Sequence, residues 1–276
     1  MTTVKIGEVR IGLAGAAGRM GLALVRQIAA TPGAALAGGF DRAGIPPIGR
    51  DLGDLAGIGP AGAVLADDGL DLFATADAII DFSTPAALHD NAELAAQNHI
   101  PYIVGTTGLG ADEFAALKRA ARHTAVVQSY NMSLGVNLVA AAVRKLAAQL
   151  DEDFDIEIVE MHHRMKVDAP SGTAILLGEA AAAGRGVALD DVSDRGRDGI
   201  TGQRRRGAIG FAALRGGNVV GEHTVIFAAD NERVEVTHKS GDRTIFARGA
   251  VRAAMWAKGR PPGLYTMNDV LGLDDA

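Results

Sequence analysis

Short apolar runs alternate with segments of helical periodicity through the first half of the chain, and this alternation limits the possible folds more than any other feature. It is typical of a parallel sheet whose strands are connected by helices. Residues 43–73, rich in Gly and Asp, are predicted to form a loop with one short element at most. The predicted strands are Val9–Leu13, Ala34–Phe40, Ala78–Phe82, Tyr102–Val104 and Ala125–Val127, and the predicted helices are Gly18–Ala30, Pro85–Asn98 and Ala111–Arg122.

The pattern changes near residue 130, which predicts a second domain. Three strand-like runs separated by short turns lie between residues 209 and 239, as in an antiparallel or mixed sheet. The sequence therefore predicts an α/β fold with a parallel sheet followed by a mixed α/β domain. The other predicted segments are a helix at 134–150, a strand at 154–162, a helix at 171–183, a loop at 184–206 and a closing helix at 242–258.

Composition restricts the class of protein. The 276 residues carry a formal net charge of -6, which argues against a general binder of nucleic acid or anionic membranes. The chain has no cysteine, so disulfides, thiolate metal sites and a cysteine nucleophile are excluded. No apolar run reaches the roughly 18–20 residues that span a bilayer, and the N-terminus lacks the features of a signal peptide. These features predict a soluble cytoplasmic protein.

The segment IGLAGAAGRMG, residues 11–21, predicts a phosphate-binding turn. Glycines between a strand and a helix let the backbone approach a pyrophosphate, and the helix N-terminus attracts its charge. The spacing of Gly15, Gly18 and Gly21 is G-x-x-G-x-x-G rather than G-x-G-x-x-G, so the motif alone is weak evidence. Its position between the first strand and the first helix strengthens the prediction of a dinucleotide site.

Asp41 and Arg42 follow the second predicted strand, where a dinucleotide-binding fold carries its ribose-binding acid. A carboxylate can accept hydrogen bonds from the ribose of NAD, and a guanidinium can bind the additional phosphate of NADP. The pair therefore predicts either cofactor, although a solvated charge pair would give the same sequence. The loops Gly105–Gly108 and Ser129–Met132 follow later strands at the same predicted edge, but neither is specific by itself.

The segment EMHHRMKVDAPSGTA, residues 160–174, concentrates positive charge in front of a predicted helix. Adjacent histidines on a strand point to opposite faces, and no further ligand pattern completes a metal site, so no metal is predicted. Ser171 lacks the G-x-S-x-G context of a nucleophile. The remaining interpretation is an anion site at the helix start, with His163 and Lys166 as cations and a general acid among them. A basic surface loop beside an ordinary capped helix is the alternative.

This segment resembles the signature of the 4-hydroxy-tetrahydrodipicolinate reductase family, also called the dihydrodipicolinate reductases. The segments GAAGRMG, DFSTP, VGTTG, NMSLGVN, GEHTVIF, THK, FARGA and GLYTMNDVLGL also resemble family segments, in family order and over nearly the entire chain. The resemblance implies an N-terminal Rossmann-like cofactor domain, residues 1–131 joined by 242–276. It also implies a C-terminal mixed α/β domain, residues 132–241, that binds substrate and forms a homotetramer.

The resemblance implies NADH- or NADPH-dependent reduction of a small dicarboxylate, 4-hydroxy-tetrahydrodipicolinate, with loss of water, in the diaminopimelate route to lysine. Of the site residues, it implies that His162 and Lys166 handle the proton. The residues implied to bind substrate are His163, Ser171, Gly172 and Thr173; those implied to bind the cofactor are Gly15, Ala16, Ala17, Gly18, Arg19, Met20, Asp41, Arg42, Gly105, Thr106, Thr107, Ser129, Tyr130, Asn131 and Met132.

The chain departs from the family pattern at several of these positions. Met165 stands where many relatives have a third basic residue, and Tyr130 and Met132 replace the Ala and Phe that are often found. Asp41 is one methylene shorter than the more common Glu, so the cofactor preference is left open. None of these changes removes an expected catalytic group.

Two other functions fit parts of the sequence. A homoserine- or sugar-type dehydrogenase of two domains shares the glycine turn, but it is not expected to carry HHRMKVDAPSGT as one block. A non-enzymatic NADH-sensing regulator would require a basic DNA-binding module. The arginine-rich residues 195–207 are the only candidate, and they are interpreted as a solvated or substrate-proximal loop.

Overall fold

The computed structural model describes residues 7–273. Within this range the chain folds into two compact units, one of residues 7–134 and 243–273 and another of residues 135–242. The strands are β1 (Val9–Ala14), β2 (Ala34–Phe40), β3 (Leu65–Ala66), β4 (Ala78–Asp81), β5 (Tyr102–Val104), β6 (Ala125–Gln128), β7 (Asp155–His162), β8 (Ser193–Asp194), β9 (Ile209–Arg215), β10 (Gly221–Ala228), β11 (Arg233–Ser240) and β12 (Gly263–Tyr265). The helices are α1 (Arg19–Ala30), α2 (Leu52–Ala56), α3 (Leu70–Thr75), α4 (Pro85–Gln97), α5 (Ala111–Ala120), α6 (Leu134–Gln149), α7 (Gly172–Arg185), α8 (Leu189–Val192), α9 (Thr244–Ala257) and α10 (Met267–Leu271).

The first unit contains a parallel sheet that places the predicted cofactor segments at one edge. The strand order is β12-β6-β5-β4-β1-β2-β3, and every pair runs parallel. The register brings the last residues of five neighbouring strands into one row, so the loops that follow them begin side by side. The row consists of Phe40, Ala14, Asp81, Val104 and Gln128.

The central strands are continuous apolar runs in the sequence because helices cover both faces of the sheet. Every residue of β4 and β5 is buried. On one face, α1 and α9 pack against the sheet, and α9 contributes small residues such as Ala253 and Ala254 that allow a close approach. On the other face, α4 and α5 contribute Leu88 and Leu117.

Two predictions for the first unit were wrong. Residues 43–73 were expected to hold one short element at most, but α2, β3 and the start of α3 lie there. A helix at 242–258 was expected to close the chain, but β12 and α10 follow it. These elements have two to six residues, too few for a clear periodicity, and β12 forms only because β6 offers an edge to pair with.

The second unit is a mixed sheet covered by helices on one face. Its strand order is β11-β10-β7-β9-β8, with β10 antiparallel to β7 and β11, and β9 parallel to β7 and β8. Burial alternates along β7 and β10. The inward residues, among them Ile158 and Phe227, pack against Val143 of α6 and Leu177 of α7. This mixed sheet and the parallel sheet of the first unit confirm the predicted fold class.

The segment 184–206 was predicted as a loop, which was wrong in part because α8 and β8 lie within it. Its arginines mostly pair with carboxylates of their own unit. Arg197 binds Glu157 and Asp194, and Arg204 binds Glu157 and Asp155. The basic charge of this segment is therefore largely neutralised by neighbouring acids.

One close approach explains how α9 joins the first unit although it lies far along the chain. A Cβ atom on Gly249 would overlap the backbone carbonyl oxygen of Met132. Only glycine lets α9 pass this close to the backbone at Met132.

We expect Gly249→Ala to destabilise the protein by at least about 2 kcal/mol, because the added methyl group forces the helix away from the backbone. In an unhindered helix the same change would stabilise by roughly 1 kcal/mol. Urea unfolding measures the difference, with Gly241→Ala as control because a Cβ atom there meets no atom within 4 Å. A stability equal to that of the wild-type protein would contradict this packing.

Candidate functional site

The loops at the carboxyl edge of the parallel sheet surround a cleft of about 800 Å³. Ligands of such sheets bind at this edge, outside the carboxyl ends of the strands. The glycine turn after β1 and the Asp41–Arg42 pair after β2 both line the cleft. Asp67 and Asp68 also line it; the sequence analysis missed them because they lie in the segment predicted as a loop.

The glycine turn has the tight geometry that a phosphate site requires. Gly15 has φ 75°, in the left-handed region, and a Cβ atom there would lie 2.7 Å from the Phe82 carbonyl oxygen. Gly18 is the N-cap of α1 and provides no side-chain hydrogen bond to the helix. The first N–H groups of a helix have no partners within it, so an anion can serve as their acceptor.

Asp41 is tied to this turn. Its carboxylate accepts a hydrogen bond from the Ala17 N–H at 3.1 Å and another from the Arg42 N–H at 2.9 Å. The Arg42 side chain is exposed and lines the cleft. An acid and a cation thus lie beside the glycine turn and line the same cleft.

The remaining predicted cofactor residues are at the same edge, but several turn their side chains inward. Ala16 is buried in the core and Met20 packs against it, whereas Arg19 is exposed at the start of α1. Gly105 lies beneath the Phe82 ring, which would overlap a Cβ atom at this position. Thr106 is buried and Thr107 is exposed.

The loop after β6 has its own internal hydrogen bonds. The Ser129 hydroxyl donates to the Asn131 carbonyl oxygen at 2.9 Å, and Asn131 Oδ1 accepts from the Ser133 N–H at 2.8 Å. Met132 is buried, and Tyr130 is 65% exposed with its ring near that of Phe114. Tyr130 is therefore the side chain of this loop that is most available to a ligand.

In the second unit, β7 directs Glu160 and His162 to the covered face of the sheet. The two residues are separated by two positions, so they share a face, and both are buried. His162 Nδ1 lies 2.6 Å from Glu160 Oε2. A Cβ atom on Gly221 would lie 3.0 Å from His162 Nε2, so glycine makes room for this edge of the ring.

Glu160 is the centre of this site although the sequence analysis did not identify it. Arg215 donates two hydrogen bonds to its carboxylate, at 2.7 and 2.8 Å, and the Ser171 N–H donates a third at 3.1 Å. Burial by itself raises the pKa of Glu160, but the hydrogen bonds from Arg215 and His162 outweigh burial and lower it. Glu160 is therefore a carboxylate that holds the Nδ1–H group of His162.

His223 was likewise not predicted from the sequence. Its Nε2 atom lies 2.9 Å from the Ser171 hydroxyl, which also accepts a hydrogen bond from the Ala174 N–H at 3.1 Å. Burial, reinforced by the neighbouring His162, lowers the pKa of His223 to about 4. A neutral His223 can accept a hydrogen bond from the Ser171 hydroxyl, so this hydroxyl already has a partner within the protein.

Lys166 forms an ion pair with Asp168, two residues further along the chain. Its Nζ atom donates to both oxygens of Asp168, at 2.8 and 2.9 Å, and this contact lowers the pKa of Asp168. The Lys166 N–H donates to the His163 carbonyl oxygen at 3.1 Å, which closes a turn. Gly172, the first residue of α7, is exposed, and Thr173 is half-buried.

This arrangement can bind an anion and transfer a proton. With Nδ1–H bonded to Glu160, the Nε2 atom is the nitrogen of His162 that can exchange a proton. Lys166 and the N-terminus of α7 provide positive charge for a carboxylate. Among residues 7–273, no cluster of three His, Asp or Glu side chains has a geometry suited to a metal ion.

We expect the unfolding free energy to fall between pH 6.5 and 4 partly because of His223. The unfolded chain takes up a proton near pH 6.5, whereas the folded protein resists protonation of His223 down to about pH 4. His223→Gln keeps an acceptor for Ser171 but cannot titrate. Between pH 7 and 4.5 its unfolding free energy should therefore fall by roughly 2 kcal/mol less than that of the wild-type protein.

Urea unfolding of both proteins at pH 7 and 4.5 measures this effect. Carboxylates with lowered pKa, such as Glu160 and Asp168, also make the folded protein less stable on acidification, but they are common to both proteins. His89→Gln, at an exposed position, controls for the replacement of a histidine. An equal loss in the wild-type protein and His223→Gln would contradict the predicted role.

Comparisons with known proteins bear out the resemblance found in the sequence. The model of the family "Dihydrodipicolinate reductase, N-terminus" matches residues 9–132, and that of "Dihydrodipicolinate reductase, C-terminus" matches residues 135–271. The chain is 58% identical to the 4-hydroxy-tetrahydrodipicolinate reductase of Parvibaculum lavamentivorans, over 97% of this chain and 99% of that protein. It is 56% identical to the corresponding protein of Brucella abortus, over 94% and 97% of the two chains.

Solved structures show the same fold. A dipicolinate-bound dihydrodipicolinate reductase from Paenisporosarcina sp. TG-14 matches with a TM-score of 0.75 and 22% identity, over 94% of this chain and 97% of that one. A myo-inositol dehydrogenase from Corynebacterium glutamicum has a TM-score of 0.59 at 16% identity, over 97% and 94% of the two chains. The fold alone thus includes sugar-type dehydrogenases, whereas the family models and the high identities are specific. The chain belongs to the dihydrodipicolinate reductase family.

Proposed function

We propose that the protein reduces 4-hydroxy-tetrahydrodipicolinate to tetrahydrodipicolinate with NADH or NADPH, a step of diaminopimelate and lysine biosynthesis. Relatives that carry the name of this reductase match nearly the full chain at 55–58% identity. The observation that carries the proposal is the hydrogen-bond network of the buried Glu160 carboxylate, which holds His162 and the start of α7. Arg215 extends this network, because it donates to Glu160 and to the Asp168 carbonyl oxygen, and Asp168 in turn binds Lys166. The net reaction consumes one hydride and one proton and releases water.

The cofactor is proposed to bind at the carboxyl edge of the parallel sheet. The bound nicotinamide cofactor supplies the hydride. The glycine turn, Gly15 to Met20, would hold the pyrophosphate against the N-terminus of α1, whose first N–H groups have no partner within the helix. Asp41 would contact the adenosine ribose, and Arg42 would contact the additional phosphate of NADPH. The segments Gly105–Thr107 and Ser129–Met132 would complete the site. The uncapped N-terminus of α1 and the cleft beside it support this assignment.

The substrate is a dicarboxylate, and positive charge is the property that would recognise it. One carboxylate is proposed to bind the N–H groups of Gly172 and Thr173 together with His163 and Lys166. Ser171 would contribute by shaping the turn, because its hydroxyl is bonded to His223. Lys166 would exchange its contact with Asp168 for the substrate, which supplies an equivalent carboxylate.

His162 and Lys166 are proposed to manage the proton. A carboxylate on Nδ1 fixes the tautomer of an imidazole and makes Nε2 its reactive atom. Glu160 and Arg215 supply this support for His162. Lys166 is the second donor, and its ammonium group can deliver the proton that the net reaction consumes.

Domain organisation, assembly and location form the last part of the proposal. The dinucleotide-binding domain is residues 1–131 with 242–276, and residues 132–241 bind substrate and form a homotetramer. The half-exposed residues Val159, Met161 and Ile226 on the uncovered face of the mixed sheet support assembly through that face. Among the described residues no helix is long and apolar enough to cross a membrane. We propose a cytoplasmic location, where reduced cofactor serves biosynthesis.

We expect Lys166→Ala to lower kcat by roughly 10²–10⁴-fold, because a general acid contributes an effect of that size. The assay follows oxidation of NADH in the presence of the cyclic substrate. Lys145→Ala, at an exposed position of α6, is the matched control and should retain wild-type activity. Near-wild-type turnover of Lys166→Ala would exclude this residue as the proton donor, and turnover of aldehydes or sugars instead would overturn the proposed substrate.

We expect Arg42→Ala to weaken NADPH binding by roughly 10- to 100-fold and to leave NADH binding nearly unchanged, because a charge-assisted contact to phosphate is worth about 1.5–3 kcal/mol. Titration of the protein with each cofactor measures both dissociation constants. Arg26→Ala is the control because this side chain donates to the Ala56 carbonyl oxygen instead. An equal loss for the two cofactors would refute the assignment of Arg42 to the additional phosphate.

A further inference from the structure

We propose that Asp81 is a positioning residue that holds the Gly105–Thr107 loop in the conformation that binds the dinucleotide, and that it acts through Thr106. The inference rests on the proposed cofactor site at this edge of the sheet. Asp81 belongs to the DFSTP segment, for which neither the glycine turn nor the basic cluster provides a role.

Asp81 is a buried carboxylate on which several elements converge. It is the last residue of β4 and is 0% exposed. One oxygen, Oδ1, accepts from the Ser83 N–H at 2.7 Å, the Ser83 hydroxyl at 2.6 Å and the Thr106 hydroxyl at 3.1 Å. The other, Oδ2, accepts from Asn91 Nδ2 at 2.8 Å and from the Tyr102 hydroxyl. One side chain therefore links the β4–α4 turn, α4, β5 and the loop after β5.

If residue 81 served only to stabilise the core, an apolar side chain would be sufficient. The rest of β4 is Ala78, Ile79 and Ile80, all fully buried. A buried carboxylate costs free energy unless every lone pair is matched, and an apolar residue of similar size often stabilises as well. Two of the residues that donate to Asp81, Ser83 and Thr106, belong to loops at the cofactor edge, so the carboxylate helps to determine how these loops are arranged.

The phenol of Tyr102 is a dependable donor in this group. Burial, followed by the neighbouring Asp81 carboxylate, raises the pKa of Tyr102 well above its ordinary value. The hydroxyl therefore keeps its proton. Tyr102 contacts the carboxylate from within β5, whereas Thr106 contacts it from the loop.

Two further contacts join the loop to the turn after β4. The Gly105 N–H donates to the Asp81 carbonyl oxygen at 2.9 Å. The Phe82 ring covers Gly105, where only glycine fits. These contacts fix the DFSTP turn and the start of the GTTG loop in position relative to each other.

The two threonines of the loop consequently have different roles. The Thr106 hydroxyl donates to Asp81 and is buried, so this residue can offer the dinucleotide its main chain but not its side chain. The neighbouring Thr107 is exposed. A loop already held in its binding conformation avoids the ordering cost that a free loop would incur on binding.

The test compares three variants by titration with NADH, with the thermal midpoint measured in parallel. Thr106→Val keeps the shape of the side chain but removes the donor, and we expect its Kd for NADH to rise roughly tenfold. Thr106→Ser keeps a hydroxyl, so its Kd should stay within about twofold of the wild-type value. Tyr102→Phe is the matched control because it removes a donor to the same carboxylate from a strand residue. It should lower the thermal midpoint while Kd changes by less than about twofold.

Three results would overturn the inference. They are an unchanged Kd in Thr106→Val, a rise in Thr106→Ser as large as that in Thr106→Val, and an equal rise in Tyr102→Phe, which would indicate general loss of stability. If Thr106→Val does not fold, Ser83→Ala removes the hydroxyl donor of the adjoining turn and should also raise Kd; an unchanged value would count against the inference. Failure of the wild-type protein to bind NADH or NADPH would instead refute the proposed function itself.

Discussion

The geometry of the proposed substrate site depends on one buried group, the carboxylate of Glu160. It lies on the covered face of β7 and accepts four hydrogen bonds, from His162, from Ser171 and, twice, from Arg215. Removing any of these partners would leave part of the Glu160 charge uncompensated in a region of low dielectric. The partners are therefore held strongly in position. The imidazole orientation, the start of α7 and the strand β9 are thereby fixed relative to one another.

Asp81 has a comparable part in the parallel sheet. Each of these two acids lies at or near the end of a strand and receives donors from segments distant in the sequence. A buried acid is costly, and the hydrogen bonds to each acid offset this cost only when the surrounding segments are in place. The cost and its compensation therefore favour a single arrangement of the loops. Among residues 7–273 there are two such buried carboxylates, one beside the proposed cofactor segments and one beside the proposed substrate segments.

Much of the fold could be predicted because its long elements repeat a local pattern. The buried runs of β4 and β5, the alternation along β7 and β10, and the helical periodicity of α1 all follow from the sequence. The predictions that were wrong concern β3, β8, β12 and the shortest helices, which have too few residues for a period. These strands form because a neighbouring edge offers hydrogen bonds, and that edge exists only in the folded protein.

The sequence by itself determined the parallel and mixed sheets, the glycine turn with its acid at Asp41, and the basic cluster in front of α7. These features depend on residue type and on spacing within short segments of the sequence. Only the tertiary structure decided that Arg215 and His223, 55 and 52 residues from their partners, would meet Glu160 and Ser171. It also decided that Thr106 turns inward while Thr107 faces outward. The physical reason is that a hydrogen bond between distant residues leaves no periodic signal, since its energy exists only once burial has removed competing water.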